Sequence, residues 1–303
     1  MNNKRLGTNS ANMLLLLTAA IWGFAFVAQR VGSQYVGAFT FNGLRFALGS
    51  ISLIPLIIYF DKKKKNDNRN EGNIEVNAKK SILSGVLVGI ALYAAATLQQ
   101  VGLIYTTAGK ASFITGLYMV FVPIIGIFLK HKIEKKSWIG VVIAVVGLYL
   151  LSVNENFSIG FGDLLEVIGA IFWAIHILTI GYFSNKMDVL KLSFIQFATC
   201  SFLSLISALI FEKITMNGIS QALVPILYGG LLSVGVAYTL QVVAQKDAKP
   251  SHAAIILSME SVFGAIGGAL LLGESMSSRG YMGCILILLG ILVTQIKFRS
   301  KQT

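Results

Sequence analysis

Charged residues, cysteines and prolines are scarce in this 303-residue sequence. Charged residues make up 13% of it and hydrophobic residues 55%, and its mean hydropathy is +0.74. This balance excludes a water-soluble globular domain, in which about 25% of the residues are charged. Four prolines are too few for a proline-rich disordered chain. The two cysteines, Cys200 and Cys284, stand far apart in apolar segments, which excludes a disulfide framework and a cysteine metal cluster.

Motifs of enzymes are missing as well. The sequence has no Gly-Lys-Ser/Thr loop for binding a nucleotide, no metalloprotease spacing of histidines and no serine-elbow motif. Its three histidines, His131, His176 and His252, fall in separate segments. We therefore expect no enzyme activity, no metal site and no cofactor, and an intramembrane enzyme has no positive support.

Long apolar runs dominate what the sequence does contain. A membrane-crossing helix needs about 20 apolar residues, and the chain holds ten runs of about that length. They cover residues 12–32, 37–60, 81–103, 108–129, 138–153, 163–183, 190–211, 221–243, 251–272 and 279–296. These runs do not alternate apolar and polar residues as the strands of a transmembrane barrel do. The sequence therefore predicts an all-α membrane protein with ten transmembrane helices.

Basic residues lie mostly on one side of this arrangement. The net charge is +12, and with a cytoplasmic N-terminus twenty of the 25 Lys and Arg fall in cytoplasmic segments. This asymmetry follows the positive-inside rule, so we expect cytoplasmic N- and C-termini in a multi-pass protein of the inner (plasma) membrane. The run Lys62–Lys65, in a basic cytoplasmic loop at 61–80, is then a topology signal with some attraction to anionic lipids. We expect no nucleic-acid partner.

The two halves of the chain repeat each other. Ala19-Ala20-Ile21-Trp22 corresponds to Ala170-Ile171-Phe172-Trp173 at an offset of 151 residues. Further pairs, at offsets of 142 to 151 residues, are Arg45 with Gln196, Gln99 with Gln241, Gly140 with Gly283 and Gly147 with Gly290. We place the first repeat at 11–153 and the second at 162–297. Because five helices per repeat is an odd number, the second repeat enters the membrane inverted, which predicts transport by alternating access.

Several stretches resemble a known family. They are Trp22-Gly23-x-x-Phe26, the segment Thr106–Thr115, and the segment Leu257–Phe263 running on to Leu272-Gly273-Glu274. Over nearly the whole chain the sequence resembles the EamA-type branch of the drug/metabolite transporter superfamily. The resemblance implies ten helices in two inverted five-helix repeats, a substrate cavity between them, and transport of small metabolites, often efflux of amino acids or related compounds.

The sequence departs from the family pattern at two places. Where each half of such proteins tends to end its fourth helix with Gly-Glu, the second half keeps Gly273-Glu274 but the first half has Lys130-His131. Ser261 stands where the family commonly has proline. These departures affect the details of gating and leave the expected fold unchanged.

Ionisable residues inside the membrane are costly and need a partner or a function. Glu260 lies near the middle of the ninth run, where it can hold a substrate ammonium group, take up a proton, or form a structural pair with a basic residue or a helix hydroxyl. Arg45, in the second run, can bind a substrate carboxylate. Its alternatives are a structural pair with Glu166 and an outward orientation beside Arg30.

Aromatic and amide side chains complete the set of candidate substrate-binding residues. Trp22 and Trp173 are equivalent in the two repeats and are expected either to wall the cavity or to pack between helices. The remaining candidates are His176, Tyr93, Tyr118, Gln99 and Gln241, with Tyr238 as a weaker one. A proton relay at His176 competes with a core hydrogen bond, and gating roles for the two glutamines compete with hydrogen bonding between helices.

The sequence therefore predicts a secondary transporter, an exporter or permease, of small metabolites. Amino acids are the first expectation for the cargo, because Glu260 and Arg45 together address a zwitterion. A channel or facilitator for another small solute, or a flippase for a lipid-like cargo, are the alternatives. The expected partners are the small-molecule substrate and the lipid bilayer; protons as coupling ion and a homodimer stay open.

Overall fold

The computed structural model describes residues 7–66, 78–130, 135–152, 160–273 and 278–295, and within these ranges the secondary structure is helical, without a strand. The helices are α1 (Thr8–Gly32), α2 (Ala38–Asn66), α3 (Ala78–Tyr105), α4 (Ala108–Gly116), α5 (Tyr118–Phe128), α6 (Lys135–Ser152), α7 (Phe161–Phe183), α8 (Val189–Phe211), α9 (Met216–Gln221), α10 (Leu223–Leu227), α11 (Thr239–Gln245), α12 (Pro250–Leu257), α13 (Glu260–Leu272) and α14 (Ser278–Gln295). A π-helical segment, Tyr228–Tyr238, joins α10 to α11.

Eight segments are long and apolar enough to cross a membrane. They are Thr8–Gly32, Ala38–Lys63, Ser81–Tyr105, Ala108–Phe128, Phe161–Phe183, Val189–Phe211, Leu223–Gln245 and Pro250–Leu272. The other two predicted spans fall on α6 and α14, whose apolar parts are shorter in the described residues. Eight of the ten apolar runs are therefore helices of membrane length.

The surface of the helical bundle is apolar and its interior holds polar side chains. Phe128, Leu209 and Phe202 are 81%, 75% and 65% exposed, whereas Glu166 and His176 are fully buried. A soluble protein rarely exposes apolar side chains along whole helices, because each exposed chain loses the hydrophobic stabilisation of burial. This arrangement suits a bundle surrounded by lipid.

Two membrane segments are broken at equivalent points. Leu117 separates α4 from α5, and Ser258 and Met259 separate α12 from α13. At each break a backbone hydrogen bond spans three residues instead of four, from Leu117 N to Ile114 O and from Met259 N to Ile256 O. Leu117 and Met259 are 142 residues apart, the offset that relates Gln99 to Gln241.

The helices pack in equivalent pairs. α2 packs on α8 and α6 packs on α14, and each of these is a contact between corresponding helices of the two halves. At the second contact a Cβ atom on Gly147 would lie 2.7 Å from Gly283 O, and one on Gly290 would lie 2.7 Å from Gly140 O. The glycine pairs found in the sequence thus mark the place where the backbones of α6 and α14 meet.

The fourth apolar segments of the two halves end with the same backbone conformation. Lys130 and Gly273 have φ angles of 60° and 68°, in the left-handed region. Residues 61–66 of the predicted loop continue α2, and α3 begins at Ala78. The rest of that loop at 67–77, as well as His131 and Glu274 of the Lys-His and Gly-Glu motifs, lie outside the described residues.

Candidate functional site

A cavity lies between the two halves of the chain. Seven of the nine sequence-predicted site residues line it: Trp22, Arg45, Gln99, Tyr118, Trp173, Gln241 and Glu260. The other lining residues are Ala25, Phe26, Gln29, Thr115, Ile177, Ser233 and Tyr238. The volume open to the centres of water molecules is about 20 Å³, enough for one or two waters. This space is smaller than a metabolite.

Three aromatic rings form one wall of the cavity. The Trp22 ring lies 4.5 Å from that of Tyr238 and 6.5 Å from that of Trp173, measured between centroids. Trp22 Nε1 donates a hydrogen bond to Ser233 O in the π-helical segment, at 3.2 Å. Trp173 Nε1 is buried without a hydrogen-bond partner. The two equivalent tryptophans thus meet at the cavity, one with its N–H satisfied and one with its N–H available to a ligand.

Glu260 stands at the break in the Pro250–Leu272 segment. It is the first residue of α13 and is 3% exposed. Its equivalent in the first half is Tyr118, the first residue of α5, whose hydroxyl lies near the Glu260 carboxylate. Apart from this contact between the two side chains, neither Tyr118 Oη nor Glu260 Oε1 has a hydrogen-bond partner. Glu260 forms no ion pair with a basic residue among the described residues, but a helix hydroxyl, that of Tyr118, lies beside its carboxylate, as the structural alternative requires.

Arg45 is held by neutral groups. Its Nε donates to Asn42 Oδ1 at 2.9 Å, and its guanidinium carbon lies 4.8 Å from the centre of the Phe46 ring. Nη2 is buried without a partner, and the side chain as a whole is 1% exposed. The alternative pair with Glu166 is wrong, and so is an outward orientation of Arg45, because Phe46 and Asn42 hold the guanidinium inside the bundle.

The two equivalent glutamines have different surroundings. Gln99 Nε2 donates to Thr115 Oγ1 at 3.2 Å. Both amide atoms of Gln241 are buried without a partner. Leu257 occupies the position in the second half that Thr115 has in the first, which explains why Gln241 has no hydroxyl to bond. Gln241 therefore offers a donor and an acceptor to whatever enters the cavity.

His176 and Tyr93 lie away from the cavity lining. His176 Nε2 is 2.9 Å from Gln196 Oε1, and its ring packs edge-on against that of Trp173. Tyr93 Oη is 2.6 Å from Ser207 Oγ, between α3 and α8. Both side chains have a local partner. For His176 this agrees with the alternative of a core hydrogen bond, and for Tyr93 it agrees with ordinary packing between helices.

Another buried carboxylate, that of Glu166, lies behind Thr115. Thr115 Oγ1 donates to Glu166 Oε2 at 3.0 Å, and Glu166 Oε1 has no hydrogen-bond partner. The prediction from the sequence named Glu166 only as an alternative partner for Arg45. The Thr115 hydroxyl links Glu166 to the cavity. Thr115 is the last residue of the segment Thr106–Thr115, in which the sequence analysis could have tested the polar residues for such a contact.

Polar contacts join the beginnings of paired helices. Lys110 Nζ lies 2.6 Å from Asp163 Oδ2, and this carboxylate also accepts a hydrogen bond from Gly160 N at the start of α7. The equivalent contact joins α1 to α12, where His252 Nε2 lies 3.1 Å from Asn12 Oδ1. Asp163 thus caps its own helix and ties it to α4.

Acidic, histidine and cysteine side chains do not gather into a metal site. In the described part of the chain no group of three such residues lies close enough to hold a metal ion. The cavity lining offers hydrogen-bonding groups, single charged side chains and aromatic faces.

Comparisons with known proteins give consistent matches. The model of the EamA-like transporter family matches this chain twice, over residues 9–153 and 160–296. An uncharacterized transporter of Archaeoglobus fulgidus is 31% identical over 288 residues, covering 95% of this chain and 86% of that protein. A probable amino-acid metabolite efflux pump of Salmonella typhimurium is 24% identical, covering 96% of both chains.

Solved structures share the fold. One of them superposes with a TM-score of 0.74, covering 94% of this chain and 96% of the other. At 15% sequence identity this likeness concerns the fold alone.

Proposed function

The chain belongs to the EamA-like transporter family, and from this premise we propose that this multi-pass membrane transporter is a secondary carrier of amino acids or related zwitterions. It works by alternating access through the cavity between the two repeats. We further propose ten transmembrane helices with both termini in the cytoplasm, and residence in the inner (plasma) membrane. The charge asymmetry of the segments supports this orientation.

The observation that carries the proposed cargo is that two charged side chains lining one cavity each keep one atom without a hydrogen-bond partner. Glu260 Oε1 and Arg45 Nη2 are buried without hydrogen-bond partners, and both residues line the cavity. A buried charged group without a partner is unstable unless a ligand supplies one. The ammonium and carboxylate groups of an amino acid supply one partner each, and the aromatic wall of Trp22, Trp173 and Tyr238 accepts an apolar side chain.

Alternating access is supported by the small volume of the cavity. A volume of about 20 Å³ cannot admit an amino acid without movement of the surrounding helices. The breaks at Leu117 and Met259 offer equivalent points of bending in the two halves. Broken helices at a central site are a recurrent feature of carriers built from inverted repeats.

Efflux is the proposed direction, because a relative in Salmonella typhimurium is named a probable amino-acid metabolite efflux pump. The two sequences are 24% identical over nearly their full lengths. Such identity supports a shared class of cargo and leaves the individual amino acid to experiment.

Counterflow in proteoliposomes tests the proposal. Trapped unlabelled substrate drives uptake of the same labelled substrate through a carrier but not through a channel. The panel contains amino acids, the amines that lack their carboxylate, and the acids that lack their amino group, with sugars and nucleosides as other classes. We expect a saturable signal for amino acids.

Two variants then divide the cargo into its charged groups. Glu260→Gln should raise the apparent Km for amino acids and amines about tenfold or more, because a charge-assisted hydrogen bond is worth about 1.5–3 kcal/mol. Arg45→Gln introduces the residue found at the equivalent position, Gln196, and should raise the apparent Km for amino acids and carboxylic acids. Equal effects of both variants on every analogue would contradict the assignment, and a signal confined to sugars, nucleosides or lipids would contradict the cargo.

A further inference from the structure

Glu166 is a buried carboxylate that the proposed cargo site does not use. It is fully buried, forms no ion pair among the described residues, and does not line the cavity. Its Oε2 accepts from Thr115 Oγ1 at 3.0 Å, and Thr115 Oγ1 accepts from Gln99 Nε2 at 3.2 Å. Glu166 Oε1 has no hydrogen-bond partner. A continuous row of hydrogen bonds therefore connects this carboxylate to the cavity lining.

The other half of the chain shows that the fold does not need a polar side chain at this place. The residues equivalent to Glu166 and Thr115 are Leu15 and Leu257, and both leucines are fully buried. Gln241, the equivalent of Gln99, keeps its place in the cavity without them. Since leucines fill the same positions in the second half, the carboxylate and the hydroxyl in the first half call for a reason other than packing.

We propose that Glu166 is a proton-binding site, separate from the cargo cavity, and that Thr115 and Gln99 transmit its protonation state to the cavity. The proton comes from water at the end of the bundle where α4 and α7 begin. It binds to a carboxylate oxygen and converts Glu166 into a neutral acid, and it returns to water when the acid ionises. Coupling of this proton to transport rests on the proposed function, whereas proton binding does not.

Two other acidic side chains lie near enough to Glu166 to act on it electrostatically. Asp163 on the same helix and Glu260 on α13 both act on it with like charge. Lys110 on α4 is engaged by Asp163 at 2.6 Å. On α3 the nearest residues are Gly102 and the uncharged Gln99, where a Cβ on Gly102 would lie 2.8 Å from Glu166 Oε1. Other titratable groups on the elements around it are Tyr93 and Tyr105 on α3, Tyr118 on α5, His176 and Tyr182 on α7, His252 on α12 and Arg30 on α1, the last bonded to Leu103 O.

A neutral acid and its anion act differently on Thr115. The anion holds the Thr115 hydroxyl as a strong acceptor, which fixes the threonine oxygen toward Gln99 Nε2. A protonated Glu166 is a weaker acceptor and frees the hydroxyl to rotate. Because Gln241 lacks such a partner, protonation acts on one side of the cavity only, which is the asymmetry that a driven carrier needs.

Infrared spectroscopy of the purified full-length protein tests proton binding without any cargo. In a pH titration the parent should show the C=O stretching band of a buried carboxylic acid. Glu166→Gln and Glu166→Leu, the latter carrying the residue of the equivalent position, should lose this band. Glu260→Gln separates the contribution of the cavity carboxylate, and Asp61→Asn is the matched control, because Asp61 is an exposed carboxylate paired with Lys191.

Thr115 supplies the second readout. Thr115→Val removes the donated hydrogen bond and should shift the band of Glu166, whereas Thr115→Ser keeps the hydroxyl and should not. A spectrum of Glu166→Gln that equals that of the parent would overturn the proposal. So would loss of the band in Glu260→Gln alone.

Transport measurements separate the proton site from the proposed function. For a cargo that gives counterflow, the dependence of its rate on pH should disappear in Glu166→Gln and persist in Asp61→Asn. An unchanged pH dependence in Glu166→Gln would overturn the coupling. Absence of counterflow in the parent would contradict the proposed function instead, and the infrared titration would still decide whether Glu166 binds a proton.

Discussion

Lys110 Nζ and Asp163 Oδ2 are 2.6 Å apart, and the residues equivalent to them, His252 and Asn12, are themselves in contact at 3.1 Å. The first pair joins α4 to α7 and the second joins α12 to α1. In the inverted arrangement proposed above, the two pairs lie at opposite mouths of the cavity. One mouth is thus held by an ion pair and the other by a histidine–amide contact.

Breaking the ion pair should open one mouth more often. Lys110→Met removes a partly exposed ion pair worth about 1 kcal/mol, which corresponds to a change of about fivefold in the population of the open form. The measurement is the rate at which a membrane-impermeant maleimide labels Ala25→Cys in the cavity lining. Cys200→Ser and Cys284→Ser supply the background without other cysteines.

The side from which labelling increases is the decisive result of that experiment. Lys110→Met should raise it from one face of the membrane, and Asn12→Ala should raise it from the other. The exchange Lys110→Asp with Asp163→Lys should return labelling toward the parent rate. Labelling that rises from the same face in Lys110→Met and Asn12→Ala would contradict the assignment of the contacts to opposite mouths.

The two tryptophans of the cavity should respond differently to the same substitution. Trp22→Phe leaves Ser233 O without its donor, so it should lower the free energy of unfolding by about 1–3 kcal/mol. Trp173→Phe removes an N–H that has no partner, so stability should change little. Instead it should weaken cargo binding by about threefold to tenfold, because the ligand loses a donor.

Thermal unfolding in detergent and counterflow on the same preparations measure both effects. A Trp22→Ala variant, which removes the ring, extends the series. Equal loss of stability in Trp22→Phe and Trp173→Phe would contradict the difference between their N–H groups, and unaltered cargo affinity in Trp22→Ala would contradict the aromatic wall.

Much of the fold could be predicted because apolar runs and repeat offsets are properties of the sequence. The offset of 151 residues pairs Trp22 with Trp173, and the structure brings these two rings together at 6.5 Å. The break at Leu117 directly follows Gly116, but the break at Ser258 and Met259 could not be predicted, because neither glycine nor proline marks it.

The membership of the site was harder to predict than the fold. A membrane helix is apolar on all sides, so the sequence does not define which face turns inward. For this reason the sequence predicts His176 and Tyr93 as candidate substrate-binding residues and leaves a pair with Glu166 as one alternative for Arg45. The repeat offsets relate Lys110 to His252 and Asn12 to Asp163. Applying these offsets to polar residues would have shown that the two pairs of polar residues are equivalent, and the structure shows that each pair is in contact.

Lys130 should be replaceable by glycine with a gain in stability. Its φ of 60° lies in the left-handed region, where a side chain costs about 1–2 kcal/mol, and Gly273 occupies the equivalent position. The greater freedom of glycine in the unfolded chain offsets about 0.5–1 kcal/mol of this. We expect Lys130→Gly to stabilise the protein by about 0.5–1 kcal/mol in a thermal unfolding experiment. Lys130→Ala, which keeps a Cβ, is the control, and an equal gain in that variant would show that loss of the charge is the cause.

Gly23 should not tolerate even one methyl group. A Cβ there would lie 2.4 Å from Phe263 Cβ, 2.7 Å from Gly264 N and 2.8 Å from Glu260 O, and two of these atoms belong to the backbone of α13. The backbone cannot rotate away as a side chain can, so Gly23→Ala must push α1 from the first turn of α13. Overpacking of this kind costs about 1–3 kcal/mol.

Because Glu260 begins that turn, Gly23→Ala should disturb the cavity as well as the packing. We expect a lower unfolding temperature and a higher apparent Km for the cargo. Gly7→Ala is the matched control, since a Cβ at Gly7 meets nothing within 4 Å and its φ of −60° suits alanine. Unchanged stability and Km in Gly23→Ala would mean that α1 and α13 are farther apart in the membrane than the contact at Gly23 requires. In that case the position of Glu260 would not depend on α1.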